Sequence, residues 1–166
     1  MSLLGSEPVL SGKRVLVVED VVENLRLFRA ILNLEDAQVL EAEEAATGIA
    51  IARREQPDII LMDLQMPGMD GLTATRLLRE DPQTQAIPII VLTASAMDQD
   101  KRRAREAGCD GYITKPIDPP VFVRQIADFL KAAASSRSRA LEPNSSVGSS
   151  TQTETKNALP RPDRAV

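Results

Sequence analysis

The 166-residue chain is long enough for one domain with a real core and too short for two comfortable ones. Its net charge of −4 gives no reason to expect a nucleic-acid surface, and the absence of histidine removes the usual zinc ligands, Ser-His and Cys-His pairs, and any phosphohistidine carried by this chain. The single cysteine, Cys109, cannot close an intrachain disulfide, reads as a small packing residue, and fits a reducing cytoplasmic setting.

Residues 1–12, "MSLLGSEPVLSG", have neither the basic start nor the long apolar stretch of a secretory signal, and are read as an N-terminal extension. No run in the chain approaches the roughly 18 apolar residues of a membrane span. Between residues 13 and 133, short β-branched runs alternate with helical patterns. Val15 to Val18 begin the series, and Leu25, Phe28 and Leu32 then share one helical face. Val39 and Leu40 precede a helix with Ala45, Ile49 and Ala52 on one side. Ile59 to Met62 precede one carrying Ala74, Leu77 and Leu78. Ile89 to Leu92 are followed by a thinner stripe, Ala104 and Ala107, within a segment from Asp98 to Ala107 whose "KRRARE" run reads as a solvated face. Tyr112 and Ile113 come last, before a helix with Phe122, Ile126, Phe129 and Leu130.

The boundaries have chemical causes. Asp118 before Pro119 reads as an N-cap with proline at the first helical position, and Asp70 and Asp98 as caps of the third and fourth helices. Gly108 stands where a helix needs a left-handed terminating residue. From Ala134 onward Ser, Thr, Pro and charge dominate, so residues 134–166 are read as a disordered tail. Five β-α units imply an α/β fold with a five-stranded parallel sheet covered by helices on both faces.

In such a sheet, ligands bind beyond the carboxyl ends of the strands. The first strand there offers Glu19 and Asp20, the third Asp63, the fourth Thr93 and Ser95, and the fifth Lys115. Three crowded carboxylates repel one another unless a cation joins them, and an all-oxygen site with room for water suits Mg²⁺. With a lysine charge and a threonine hydroxyl beside them, a phosphoryl group fits, and one carboxylate can attack phosphorus. Asp63 would be the nucleophile, held at the sheet edge by a rigid strand, with the backbone carbonyl near Gln65 completing the metal shell.

In these residues the chain resembles the CheY-like response-regulator receiver domains of two-component signalling. The resemblance runs from Lys13 to Leu130 and carries "VVED", "DIILMDLQMPGMDG", "IPIIVLTA" and "GCDGYITKPI" in the family's order. With "LRLFRAIL" in the first helix, the chain looks most like the single-domain DivK-type regulators, or a receiver from a hybrid histidine kinase. The resemblance implies a flavodoxin-like doubly wound (βα)5 fold with strand order 2-1-3-4-5. It implies a stand-alone regulator that accepts a phosphoryl group onto Asp63 from the phosphohistidine of a kinase or phosphotransfer protein. Mg²⁺ would be held by Glu19, Asp20, Asp63 and the Gln65 carbonyl, while Thr93 and Lys115 contact the phosphoryl oxygens.

Further implications concern switching. Thr93 would be drawn inward and Tyr112 would follow, changing the face made by the fourth helix, fifth strand and fifth helix, where a downstream protein binds. Lys115-Pro116 is expected to be cis, and Gln65 and Ser95 occupy positions that influence phosphoryl lifetime. Homodimerisation is compatible with the family. Nucleic acid and membrane are not expected partners, and the only reactions promoted would be the chain's own phosphorylation and dephosphorylation. Val21 and Val22 depart from the family by offering no polar cap to the first helix. Two alternatives fare worse. A haloacid-dehalogenase-like phosphatase needs a second Asp two residues after the nucleophile, where this chain has Gln65. A flavin-binding relative would want a glycine- and hydroxyl-rich loop after the first strand, where "EDVVEN" stands.

Overall fold

Strands and helices alternate along the chain in a computed structural model that describes residues 2–5 and 7–141. They are β1 (Arg14–Val18), α1 (Val22–Leu34), β2 (Gln38–Ala42), α2 (Ala45–Glu55), β3 (Ile59–Asp63), α3 (Gly71–Glu80), β4 (Ile89–Thr93), α4 (Asp98–Ala107), β5 (Gly111–Thr114) and α5 (Pro119–Leu141). All neighbouring strands are parallel, in the order β2-β1-β3-β4-β5. Alternate side chains of a strand leave on opposite faces. Val15 and Val17 therefore join Leu25, Phe28, Phe122 and Ile126 under α1 and α5, whereas Leu16 and Val18 join Ile49, Ala74 and Leu78 under α2 and α3. Phe28 and Phe122 lock the first layer with ring centroids 5.4 Å apart.

The helix ends follow the predicted chemistry in part. Asp70 accepts the Thr73 N–H at 2.8 Å, and Asp118 accepts that of Val121 at 3.3 Å. Gly108 ends α4 with φ 99°, a left-handed conformation that glycine adopts without steric cost. Asp98 is not a cap. It is the first residue of α4, whose N-cap Met97 has no side-chain acceptor, so Asp98 and Asp100 act only as charges near the helix's positive end. Val21 likewise caps α1 without a side-chain bond, as its apolar character predicts. Leu77 is another correction. The buried stripe of α3 runs through Gly71, Ala74, Thr75 and Leu78, which leaves Leu77 off the core-facing side and exposed.

The chain's two ends also differ from expectation. Alanine-rich sequence after Phe129 sustains α5 through Leu141, past the Ala133 boundary drawn from composition, and Ser136 bonds back to the Ala132 carbonyl at 3.1 Å. Residues 142–166, the rest of the predicted tail, lie outside the described residues. The N-terminal extension is partly core: Leu10 is wholly buried, and Leu3 and Leu4 pack against the α1/α5 layer. Wholly buried Glu35, just past α1, accepts from Ser2 Oγ at 2.9 Å, Leu3 N at 2.6 Å and Val9 N at 3.1 Å.

Arg79 ties the far end of α4 to its surroundings. Its guanidinium donates to the carbonyls of Gly108, Gln85 and Ile87 and pairs with Asp110 at 2.5 Å. Asp110 in turn accepts the Ile89 N–H at 2.9 Å. Among the described residues no helix is long and apolar enough to cross a membrane.

Candidate functional site

The carboxyl ends of β1, β3, β4 and β5 converge as the sequence predicts. Parallel register sets Val18 beside Met62 and Asp63 beside Leu92, so the residues immediately beyond these strands share one mouth. Glu19, Asp20 and Asp63 each offer a carboxylate oxygen, all within 4.8 Å of one another. Glu19 is wholly buried and Asp63 is 5% exposed, while Asp20 is only half-buried.

Lys115 closes this group from β5. Its ammonium lies 2.9 Å from Glu19 Oε2 and 3.1 Å from Asp63 Oδ2. Burial works to lower the lysine's pKa, but hydrogen bonding and charge from Glu19 and Asp63 outweigh it and hold the pKa above the ordinary value. The Lys115-Pro116 bond preceding α5 is cis, as the resemblance implies. Three carboxylates and one ammonium leave a local charge of −2. That excess, carried on hard oxygen donors, fits a divalent cation such as Mg²⁺.

Local backbone keeps the acidic groups in place. Glu19 Oε1 accepts the Val21 N–H at 3.1 Å, and Asp63 Oδ1 accepts that of Gln65 at 3.1 Å. The "QMPGMDG" turn brings the start of α3 back onto β3 so closely that a Cβ on Gly71 would collide with the Asp63 carbonyl. Glycine there sets how near α3 lies to the strand end.

Thr93 and Tyr112 lie next to the acidic mouth but are engaged elsewhere. The Thr93 hydroxyl donates to the Ser95 carbonyl at 2.9 Å and accepts the Ser95 N–H at 3.1 Å, so its bonds are spent on its own loop. Ser95 Oγ accepts the Met97 N–H at 3.3 Å. Tyr112 is 8% exposed and packs with Leu72, Val91, Ala104 and Cys109. Lys101 stands 5.1 Å from the centre of its ring. That contact was not read from the sequence, where Lys101 belonged to a solvated run. The available signal was spacing, since Lys101 lies three residues before buried Ala104 and so shares its face.

The model of the response regulator receiver domain family matches residues 15–127. The chain belongs to this family. The receiver is 38% identical to the polar-differentiation response regulator DivK of Brucella anthropi over 118 residues, covering 71% of this chain and 96% of that protein. Among solved structures it is similar to the receiver domain of the sensor histidine kinase PA1611 from Pseudomonas aeruginosa, described with a magnesium ion coordinated in the active site cleft. That match has 30% identity, a TM-score of 0.68, and covers 73% of this chain and 99% of the other. Vibrio cholerae chemotaxis protein CheY4, at 24% identity with a TM-score of 0.68 over 70% of this chain and 98% of its own, shares the fold. Two-component signalling therefore replaces the phosphatase alternative, which these relatives leave without support.

Proposed function

We propose that this receiver is a stand-alone response regulator in which Asp63 accepts a phosphoryl group from the phosphohistidine of a histidine kinase or phosphotransfer protein. The observation that carries the reading is the gathering of Glu19, Asp20 and Asp63 within 4.8 Å, with Lys115 bridging two of them. An Asp63 carboxylate oxygen attacks phosphorus, the P–N bond to the donor imidazole breaks, and the electron pair leaves with that nitrogen. Glu19, Asp20, Asp63 and the Gln65 carbonyl would hold Mg²⁺, which neutralises charge on the phosphoryl oxygens. Lys115 supplies a second positive charge, and swings from its carboxylate partners toward the transferred group.

Thr93 contributes a hydroxyl donor once its bonds to Ser95 are released. That release moves the β4–α4 loop and changes the α4-β5-α5 face offered to a downstream protein. Gln65 and Ser95, at the positions that influence phosphoryl lifetime in the family, would govern how readily water reaches the acyl phosphate. The chain promotes only its own phosphorylation and dephosphorylation, and acts in the cytoplasm. The PA1611 receiver with magnesium in its cleft supports the metal assignment.

The test is phosphorylation of the full chain by phosphoramidate with Mg²⁺, followed by intact mass. Wild type should gain one phosphoryl group, and Asp63→Asn should gain none. Equal labelling of the variant would remove Asp63 as the acceptor.

A further inference from the structure

Tyr112 and Thr93 occupy an unexpected combination. In the switching scheme that the family resemblance implies, the aromatic side chain moves inward when the threonine leaves its own loop. Here Tyr112 is already inward, at 8% exposure, while the Thr93 hydroxyl makes both of its bonds to Ser95. Something other than Thr93 must favour the inward position. Packing against Val91, Ala104 and Cys109 supplies part of it. The remaining contact is cationic.

Lys101 projects from the first turns of α4 over the ring of Tyr112, 5.1 Å from its centroid, inside the distance at which an ammonium is attracted to an aromatic face. The two side chains, with Leu64, Thr93, Ser95 and Ala104, line one narrow cleft between α4 and the β4/β5 ends. Among the described residues no carboxylate lies within ion-pair distance of Lys101, although Asp98, three residues earlier on α4, also acts on its charge and Asp100 lines the same cleft. Tyr112 cannot swing outward without leaving both this charge and its packing.

We infer that Lys101 is a positioning residue that holds Tyr112 inward whether or not Thr93 is bonded to its own loop, leaving the β4–α4 loop as the part that moves. The inference rests on the receiver reading only for its second half, the insensitivity of Tyr112 to phosphorylation. Its first half concerns the resting protein alone.

The chain offers a direct probe, because Tyr112 is its one tyrosine and there is no tryptophan. Tyrosine fluorescence therefore reports this side chain alone, and acrylamide quenching measures its shielding. In the full chain, Lys101→Met should raise the outward-to-inward ratio about two- to fivefold, the range available to a surface cation–π contact, and Lys101→Arg should return it to wild type. Lys101→Gln, with far-UV circular dichroism on each variant, guards against a fold defect peculiar to methionine. Adding phosphoramidate and Mg²⁺ should leave quenching of wild type unchanged while making quenching of Lys101→Met fall.

Shielding equal to wild type in both Lys101→Met and Lys101→Gln would overturn the positioning role. A phosphorylation-dependent change in wild-type quenching would overturn the insensitivity. If wild type gained no phosphoryl group by mass, the proposed function would fail, and the resting-state comparison would still decide the role of Lys101.

Discussion

Glu19 and Glu35 are both wholly buried, yet they sit at opposite edges of the sheet and are satisfied in opposite ways. Among the described residues, Glu35, beyond the C-terminal end of α1, receives neutral donors: one hydroxyl and two backbone N–H groups, all from the N-terminal arm. Glu19, at the carboxyl edge, receives one backbone N–H and the ammonium of Lys115, which it shares with Asp63. A carboxylate surrounded by fixed neutral donors has no further use for a cation. One that shares a single lysine with a second carboxylate, beside a third, retains unneutralised charge that a metal or phosphoryl chemistry can use. Burial alone therefore does not mark a functional acid; the identity of its donors does.

The sharpest way to break this contrast is at Glu35. Replacing it with Ala strands the Ser2, Leu3 and Val9 donors, and should cost about 3 kcal/mol of folding stability by urea denaturation. Mg²⁺ binding should be unchanged, because the arm lies at the other edge. The reverse pattern is expected for Glu19→Gln: Mg²⁺ affinity by calorimetry falls about tenfold, equivalent to about 1.4 kcal/mol, while the urea midpoint moves little. If both variants altered metal binding, or both altered only stability, the distinction between the two acids would collapse.

A smaller effect separates local helix capping from both. The N–H of Thr73 holds the pKa of Asp70 below the usual carboxylate range. A lowered pKa contributes stability above the unfolded value of about 3.9 and loses it as the pH falls through the folded value. Asp70→Ala should thus cost about 1 kcal/mol at neutral pH, and the gap from wild type should narrow in an acid titration below that value. A gap that widened in acid would contradict the capping role. The smallest expected signal is at Cys109, where burial pushes the thiol up to about 12. Iodoacetamide at pH 8 should leave the native chain unmodified and add one group after unfolding in guanidinium; labelling of native protein would mean that this side of α4 opens.

The sheet and its acidic mouth were legible because both depend on residue type at strand ends. A run such as "IILMD" states its own burial and its terminal carboxylate, and Asp63 and Glu19 stand where that pattern puts them. The seat of Glu35 was not legible, since two of its three donors are backbone N–H groups, which every residue but proline carries and no sequence distinguishes. Leu77 was misplaced because a three-residue apolar set fixes a helical face only loosely, and Thr75 and Gly71 carry the buried stripe without apolar bulk. Asp98 illustrates the one-residue limit of cap reading, with the helix beginning at the expected cap. Lys101 escaped for another reason: composition gives the solvation of a charged run as an average, whereas a single member can turn toward an aromatic ring.

The ties made by Arg79 have a mechanical result. They bolt the Gly108 end of α4 to α3, β4 and Asp110, whereas the Met97 end has no side-chain cap. A ten-residue helix is about 15 Å long, so a tilt of about 10° around the bolted end would carry the free end about 2.5 Å. α4 is in this sense hinged at the end away from the acidic mouth: a given tilt displaces its Met97 end most and its Gly108 end least, and Lys101 on Tyr112 is the side-chain tie that opposes it near the free end.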